Sequence, residues 1–159
     1  MKIAIPSYKR ADTVVEKTLS YLLNDCKVSQ DCITVFVANQ DEYAEYKEKL
    51  PEGIKIVVGK ETLRGQRNFM DFYYEVEDKV LFFDDDVEGL YKKNGSNSAL
   101  FTDLKALYKI GFNECLKHKT ALFGICAVNN GFYMSNKIST NLKYIVGCFY
   151  GQIITRDKH

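Results

Sequence analysis

Three consecutive carboxylates, Asp84, Asp85 and Asp86, follow the apolar run at residues 80–83. Two like charges about 4 Å apart repel by roughly 4 kcal/mol at an effective dielectric constant of 20. This repulsion is relieved when a carboxyl pKa rises or when a cation binds nearby. Alternate residues of an extended segment point to the same side, so Asp84 and Asp86 are expected to face one ligand while Asp85 faces away or towards the backbone. The row therefore predicts a bound divalent cation.

Polar residues also follow three other apolar runs of the chain. The stretch PSYKR occupies residues 6–10, NQD residues 39–41 and RGQRN residues 64–68. In an open α/β sheet, ligands bind outside the carboxyl ends of the strands, so these clusters are expected to meet the aspartates at one edge. An isolated Asp-x-Asp is also typical of a solvated turn or a helix cap. The shared edge favours the cation site.

The chemistry of these clusters is complementary. Arginine guanidinium groups and helix-start amides bind phosphate oxygens, and carboxylates bind a hard cation that neutralises a diphosphate. Tyr8 offers an aromatic face on which a base can stack, and Asn39 can hydrogen-bond to a base edge. Together the clusters predict a site for a metal-bound nucleotide diphosphate.

Short apolar runs alternate with segments of helical periodicity. Continuous runs at 2–5, 33–38, 54–58, 80–83 and 121–128 predict strands that are buried on both faces. Helices are expected after Thr13, whose spacing to Glu16 fits a capping box, at 41–50, at 64–76 and after Thr102. Residues 91–99 are expected to form a mobile loop, and residues 131–155 a loop with extended strands. This order predicts right-handed crossovers and a largely parallel sheet.

The composition is that of one globular domain. The chain has 159 residues, of which 46% are hydrophobic and 27% are charged. Its net charge of +1 gives no overall attraction to nucleic acid, and no nucleic-acid partner is expected. No apolar window is long enough for a signal-peptide core or a membrane span, so a cytoplasmic protein is expected. The five cysteines lack metal-binding spacing and are expected to be reduced.

Two stretches carry a resemblance to a known class of enzymes. IAIPSYKRADTVVEKTLSYL followed by VLFFDDDVEGL resembles the nucleotide-binding half of GT-A fold glycosyltransferases, which carry an Asp-x-Asp metal motif after the fourth strand. The style is most similar to glycosyltransferases of large DNA viruses, of the chlorovirus type, and of phages, which implies host cytoplasm as the location. The resemblance implies an α/β, Rossmann-like, mostly parallel sheet flanked by helices, with a smaller mixed C-terminal part. One domain, 1–159, would divide into a nucleotide-binding half, 1–90, and an acceptor-side half, 91–159.

The resemblance also implies roles for individual residues. The residues that would border the nucleotide are Pro6, Ser7, Tyr8 and Arg10, with Asn39 near the base and Arg64 and Arg67 near the base or the diphosphate. Asp84 would contact the ribose and contribute to the metal site, and Asp85 would lie close to the ribose or the sugar. Asp86 would bind Mn²⁺ or Mg²⁺, which bridges the two phosphates. The simpler alternatives are a capped first turn and a surface charge for Ser7 and Arg10, and a surface salt bridge for Arg67.

The acceptor-side half departs from the GT-A pattern because it shows no clear catalytic base and ends early for this fold. The chain is therefore also interpreted as a fragment or one domain of a longer polypeptide. Asp157 is the candidate base and His159 a candidate metal ligand, with terminal fraying as the alternative for both. His118 is expected to interact with a helix C-terminus. Four aromatic residues are candidates for an acceptor platform or for core packing: Phe132, Tyr133, Phe149 and Tyr150.

The resulting hypothesis is a metal-dependent transferase of the hexosyltransferase type. It would move a sugar from a nucleotide diphosphate donor, expected to be a UDP-sugar, to a hydroxyl of a glycan or a protein-linked glycan, while residues 92–99 close over the site. An inverting reaction needs a base, whereas a retaining reaction does not. The alternatives are a nucleotide-sugar-binding module without turnover, a haloacid-dehalogenase-like phosphohydrolase and a sugar-phosphate nucleotidyltransferase. The sequence indicates no oligomeric state.

Overall fold

A six-stranded sheet forms the centre of the computed structural model, which describes residues 1–126, 128–135, 137–141 and 143–156. Its parallel strands are β1 (Lys2–Pro6), β2 (Ile33–Val37), β3 (Lys55–Val58) and β4 (Lys79–Phe83), in the spatial order β3-β2-β1-β4. After the separate strands β5 (Leu90–Asn94) and β6 (Asn97–Phe101), the chain adds β7 (Leu122–Gly124) and β8 (Phe149–Ile153) to the sheet. Strand β8 lies antiparallel between β4 and β7. The α/β class and the mostly parallel, Rossmann-like sheet are confirmed.

Within the described residues, four α-helices connect or follow these strands, and a short 3-10 helix, Gln30–Cys32, precedes β2. Helix α1 begins at Ala11–Val14 and continues through two wide turns of π type, Val15–Leu19 and Tyr21–Asp25. The others are α2 (Gln40–Lys49), α3 (Leu63–Tyr73) and α4 (Leu104–His118). The capping box expected at Thr13 and Glu16 is wrong, since α1 begins at Ala11. The chain reverses early, at Lys9, whose φ is 54°, and the helix therefore starts directly after Arg10.

Hydrophobic side chains alternate between the two faces of the parallel strands. On one face, Ile3, Ile5 and the odd-numbered positions of β2 pack with α1, α2 and α4. On the other face, Ala4 and Phe36 pack with Met70 of α3. Because both faces are covered, β1, β2 and β4 read as continuous apolar runs. The covering helices leave the carboxyl ends of the strands as the accessible edge.

Two expectations for the second half of the chain are wrong. Residues 91–99 are not a loop but belong to an antiparallel hairpin of β5 and β6, in which Asn94 pairs with Asn97 across the turn residue Gly95, whose φ is 60°. A polar two-residue turn containing glycine is typical of hairpins. The loop was predicted because residues 91–99 are rich in Gly, Ser and Asn, a composition that hairpin turns share with loops. The strand expected at 121–128 is limited to Leu122–Gly124.

None of the helices formed by the described residues combines the length and the hydrophobicity that a membrane crossing requires. The five cysteines are free thiols, and only Cys115 is buried.

Candidate active site

The three aspartates follow β4 in a tight turn, residues 84–87, called the acidic turn below. The Thr18 hydroxyl of α1 donates to the Asp84 carbonyl oxygen over 2.8 Å and accepts the Val87 amide over 2.9 Å. The Asp84 amide donates to the Cys148 carbonyl oxygen over 2.9 Å. Strand geometry ends at Phe83, and Asp84 and Asp86 have different described hydrogen-bond partners, Arg67 and Arg10. Their predicted role as a pair of metal ligands stays a prediction. The three carboxylates thus have two different partners, Arg67 for Asp84 and Arg10 for Asp85 and Asp86, in a turn that other elements hold in place.

Asp85 is the most buried of the three aspartates, with 7% of its surface exposed. The Ser7 hydroxyl donates to Asp85 Oδ2 over 2.7 Å. Since the Ser7 proton is used in this way, the Tyr46 hydroxyl donates to Ser7 Oγ over 2.7 Å and accepts the Arg10 amide over 3.0 Å. Burial raises the pKa of Tyr46, so its hydroxyl remains a donor at neutral pH. This chain of hydrogen bonds ties the end of β1 and helix α2 to the acidic turn.

One guanidinium nitrogen lies between two carboxylates. Arg10 Nη1 is 3.3 Å from Asp85 Oδ1 and 3.2 Å from Asp86 Oδ2. The carboxylate of Asp85, and then that of Asp86, raises the pKa of Arg10. The Arg10 side chain is about half exposed, so water and small ligands can reach the pair. Asp85 and Asp86 therefore converge on a single position for positive charge.

Asp84 faces a different cation. Arg67 Nη2 of α3 donates to Asp84 Oδ1 over 3.0 Å and to the Gly147 carbonyl oxygen over 3.4 Å. The Arg67 guanidinium also lies 5.9 Å from the centre of the Tyr150 ring. Burial raises the pKa of Asp84, and the charge of Arg67 opposes this effect. Arg67 thus contacts three groups, and its side chain is only a third exposed. Its pair with Asp84 is therefore more buried and more tightly held than an ordinary surface salt bridge.

The structure brings together part of the predicted set. Ser7 and Arg10 contact the acidic turn directly, as does Arg67, and Pro6 borders the same cleft as Arg67 and Asp84. The Tyr8 ring is about half exposed, with Lys9 Nζ 5.1 Å from its centre.

Two predicted residues do not contact the acidic turn. Asn39 caps α2, because its side-chain oxygen accepts the Glu42 amide over 3.1 Å. Arg64 is exposed on α3, and the described hydrogen bonds and ion pairs include none from its side chain. Both residues stay predicted nucleotide contacts.

The candidates of the acceptor-side half fall into different environments. Asp157 and His159 lie outside the described residues. His118 pairs with Glu114 over 3.2 Å in the last turn of α4. Phe149 is buried against Phe83 and belongs to the core, and Tyr150 stacks on Phe82 with ring centres 4.7 Å apart. Phe132 and Tyr133 are 76% and 69% exposed, so they are available to a ligand.

Several residues that support the site were not identified by the sequence analysis. Glu42 is buried, and its carboxylate accepts the Lys9 amide over 2.8 Å and the Ala38 amide over 2.9 Å, which joins the ends of β1 and β2. The Asn39-x-x-Glu42 spacing of a capping box was the available signal. Thr18 and Tyr46 gave no signal, because their partners lie far away in the chain.

The donor set can be compared with what a divalent cation requires. Among the residues whose placement is described, no three His, Cys, Asp or Glu side chains gather at one point, so they form no all-protein cage. Mg²⁺ commonly binds through one or two carboxylates and completes its coordination with water and phosphate oxygens. Asp85 and Asp86, whose oxygens already flank one positive group, fit a cation of this kind.

The sheet order, the flanking helices and the acidic turn at the edge of β4 are consistent with a GT-A-like Rossmann fold. A family model described as TET-Associated Glycosyltransferase matches residues 1–157, and the chain therefore belongs to this glycosyltransferase family. None of the curated proteins compared with the chain matches it. Membership in the family implies a sugar donor and an acceptor.

Proposed function

We propose that the protein transfers a sugar from a nucleotide diphosphate, expected to be a UDP-sugar, to a hydroxyl group with Mn²⁺ or Mg²⁺ as cofactor. The observation that carries this proposal is the convergence of Asp85 and Asp86 on one position of positive charge at the carboxyl edge of the sheet. Ligands bind at this edge in open α/β folds. The family assignment supports the glycosyl transfer itself.

The residues of the site divide the binding of the donor between them. Asp86 and Asp85 would hold the cation, which when bound supplies positive charge to stabilise the departing diphosphate. Arg10 and Arg67 present guanidinium N–H groups that can bind phosphate oxygens. With Asp85 and Asp86 holding a cation, Arg10 would be free to bind the diphosphate. The half-exposed Tyr8 ring supports stacking of the base next to this position.

The need for a catalytic base depends on the stereochemistry of the transfer. An inverting transfer requires a group that removes the proton of the acceptor hydroxyl, whereas a retaining transfer does not require one. Asp157 remains the proposed base for an inverting reaction. The remaining groups of the site act on the donor.

The charge distribution suggests the type of acceptor. Residues 91–159 contain ten Lys or Arg residues and three Asp or Glu residues, while residues 1–90 contain twelve and eighteen. The net charge of +1 conceals this division. A basic acceptor-side half attracts a polyanion. Its exposed aromatic residues Phe132, Tyr133 and Tyr144 could stack on bases, with Lys137 and Lys143 also exposed on the same segment.

Two acceptor classes are therefore proposed. The first is a hydroxyl of a glycan or a protein-linked glycan, as the resemblance implies. The second is a hydroxyl that a TET oxygenase introduces into DNA, which the TET-associated description of the family and the basic second half both favour. The second class departs from the expectation, based on net charge alone, that no nucleic acid takes part.

The test of the proposed function is acceptor-dependent release of UDP from a UDP-sugar in the presence of Mn²⁺. Glycans and hydroxymethylated DNA serve as the two acceptors, and unmodified DNA is the control. A protein that UDP and Mn²⁺ stabilise against heat, but that never releases UDP, is the binding module instead. Release of phosphate from a simple phosphoester without a nucleotide would support the phosphohydrolase.

The acceptor proposal predicts a dependence on ionic strength. If two lysines neutralise DNA phosphates, the apparent affinity for DNA should fall about tenfold between 50 and 200 mM salt. Exchanging Lys137 and Lys143 for glutamate should weaken DNA binding and leave the affinity for UDP unchanged, because both residues lie in the acceptor-side half. Measured KM values for DNA that do not change with salt would contradict a polyanionic acceptor.

A further inference from the structure

One buried hydroxyl closes the acidic turn at both ends. Thr18 is 0% exposed, and its Oγ1 donates to the Asp84 carbonyl oxygen and accepts the Val87 amide. The backbone between these two groups carries only the side chains of Asp85 and Asp86. The position of both carboxylates therefore depends on a residue of α1 that touches neither of them through these hydrogen bonds.

The bonding pattern of Thr18 is unusual for a threonine in a helix. A helical threonine commonly bonds the carbonyl oxygen three or four residues earlier in its own helix. Thr18 instead bonds two backbone groups of another segment, and it does so from the wide turn Val15–Leu19. Wide turns of π type occur frequently at functional sites. The local widening of α1 and the outward bonding of Thr18 thus coincide beside the acidic turn.

The two carboxylates differ in how much they depend on Thr18. Asp85 is also fixed by Ser7, which Tyr46 holds in turn. Asp86 is half exposed, and its described hydrogen bond and ion pair are both with Arg10. The direction of Asp86 is therefore set mainly by the backbone of the turn.

We infer that Thr18 is a positioning residue of the glycosyl transfer, which directs Asp86 and Asp85 towards one cation position by fixing the backbone of the acidic turn. This inference rests on the proposed function. The role requires a donor and an acceptor on the same atom, which serine retains and the similarly shaped valine lacks.

The experiment compares Thr18→Val with Thr18→Ser. The control Thr34→Val removes another buried threonine hydroxyl, which lies on β2 and takes no part in the hydrogen bonds of the acidic turn. Thr18→Val should lower kcat by about 100-fold, the cost of a misplaced catalytic group. It should also weaken the affinity for Mn²⁺ in the presence of UDP, and leave KM for the acceptor unchanged. Thr18→Ser should recover most of the lost kcat and Mn²⁺ affinity. Thr34→Val should change neither kcat nor the affinity for Mn²⁺.

Hydrogen exchange of residues 84–88 provides a readout that does not depend on activity. Exchange of the Val87 amide should accelerate in Thr18→Val and remain slow in Thr18→Ser. Unchanged exchange in Thr18→Val would overturn the inference, as would a loss of kcat no larger than the loss of folded protein. A wild-type protein that neither binds nor turns over a UDP-sugar would remove the proposed function, and the exchange result would still decide whether Thr18 orders the turn.

Discussion

Replacing Asp86 with alanine is expected to lower kcat/KM for a UDP-sugar by about 10³-fold, which corresponds to roughly 4 kcal/mol of lost stabilisation. The Asp86 carboxylate is half exposed, and its described ion pair is with Arg10, so its removal takes one of two carboxylates from the cation position. The free energy of unfolding should change by only about 0.5 kcal/mol, because the side chain supports no part of the core. Steady-state turnover at increasing Mn²⁺ concentrations measures the effect.

A matched control lies two residues further along the chain. Glu88 is also an exposed carboxylate, but its described ion pair is with Lys17, over 2.8 Å, and not with Arg10. Glu88→Ala should therefore retain the Mn²⁺ dependence of the wild-type protein. Equal turnover by the Asp86→Ala and Glu88→Ala variants would remove the metal from the account.

Replacing Arg67 with alanine is expected to lower kcat/KM by about 10²-fold, since a charged group that binds the diphosphate in the transition state is lost. The same change should reduce the free energy of unfolding by about 1–3 kcal/mol, because the half-buried Asp84 carboxylate loses its charged partner. Turnover measures the first effect and denaturant unfolding the second.

The destabilisation of Arg67→Ala should depend on pH. Burial already raises the pKa of Asp84, and the loss of Arg67 removes the charge that opposes this rise. The folded variant then binds a proton at Asp84 more tightly than the unfolded chain does. Its stability therefore falls as the pH rises through the raised pKa of Asp84 and recovers as the pH falls below it. Unfolding of the variant in denaturant should therefore require less denaturant at pH 7 than at pH 4, relative to the wild-type protein.

Arg64→Ala is the control for Arg67, because Arg64 lies three residues earlier on α3 and is exposed. It should leave stability unchanged. A loss of activity in Arg64→Ala would support its predicted contact with the base or the diphosphate. Wild-type kcat/KM in Arg67→Ala would contradict the proposed role of Arg67.

The fold could be predicted where burial leaves a clear pattern in the sequence. Strands β1, β2 and β4 are covered on both faces, which produces continuous apolar runs such as residues 80–83. The intervening helices showed their own periodicity, so the parallel order followed from the chain order. Strand β8 was different, because it inserts antiparallel between β4 and β7. Chain order does not determine such an insertion.

The candidate site could be predicted in outline but not in its directions. The rule that polar residues collect at the carboxyl ends of parallel strands correctly placed Ser7, Arg10 and Arg67 beside the aspartates. The directions of the carboxylates depend on a turn that Thr18 closes from 66 residues away in the chain. A strand-like alternation was assumed instead. Long-range hydrogen bonds of this kind leave no local pattern.

The central claim is that Asp85 and Asp86 share one divalent cation with a nucleotide diphosphate. The most direct measurement is a calorimetric titration of UDP into the wild-type protein, once with Mn²⁺ and once with a chelator in its place. The account predicts that the affinity for UDP falls by at least about 10-fold, or roughly 1.4 kcal/mol, when the metal is removed. Equal affinity for UDP under both conditions would contradict it.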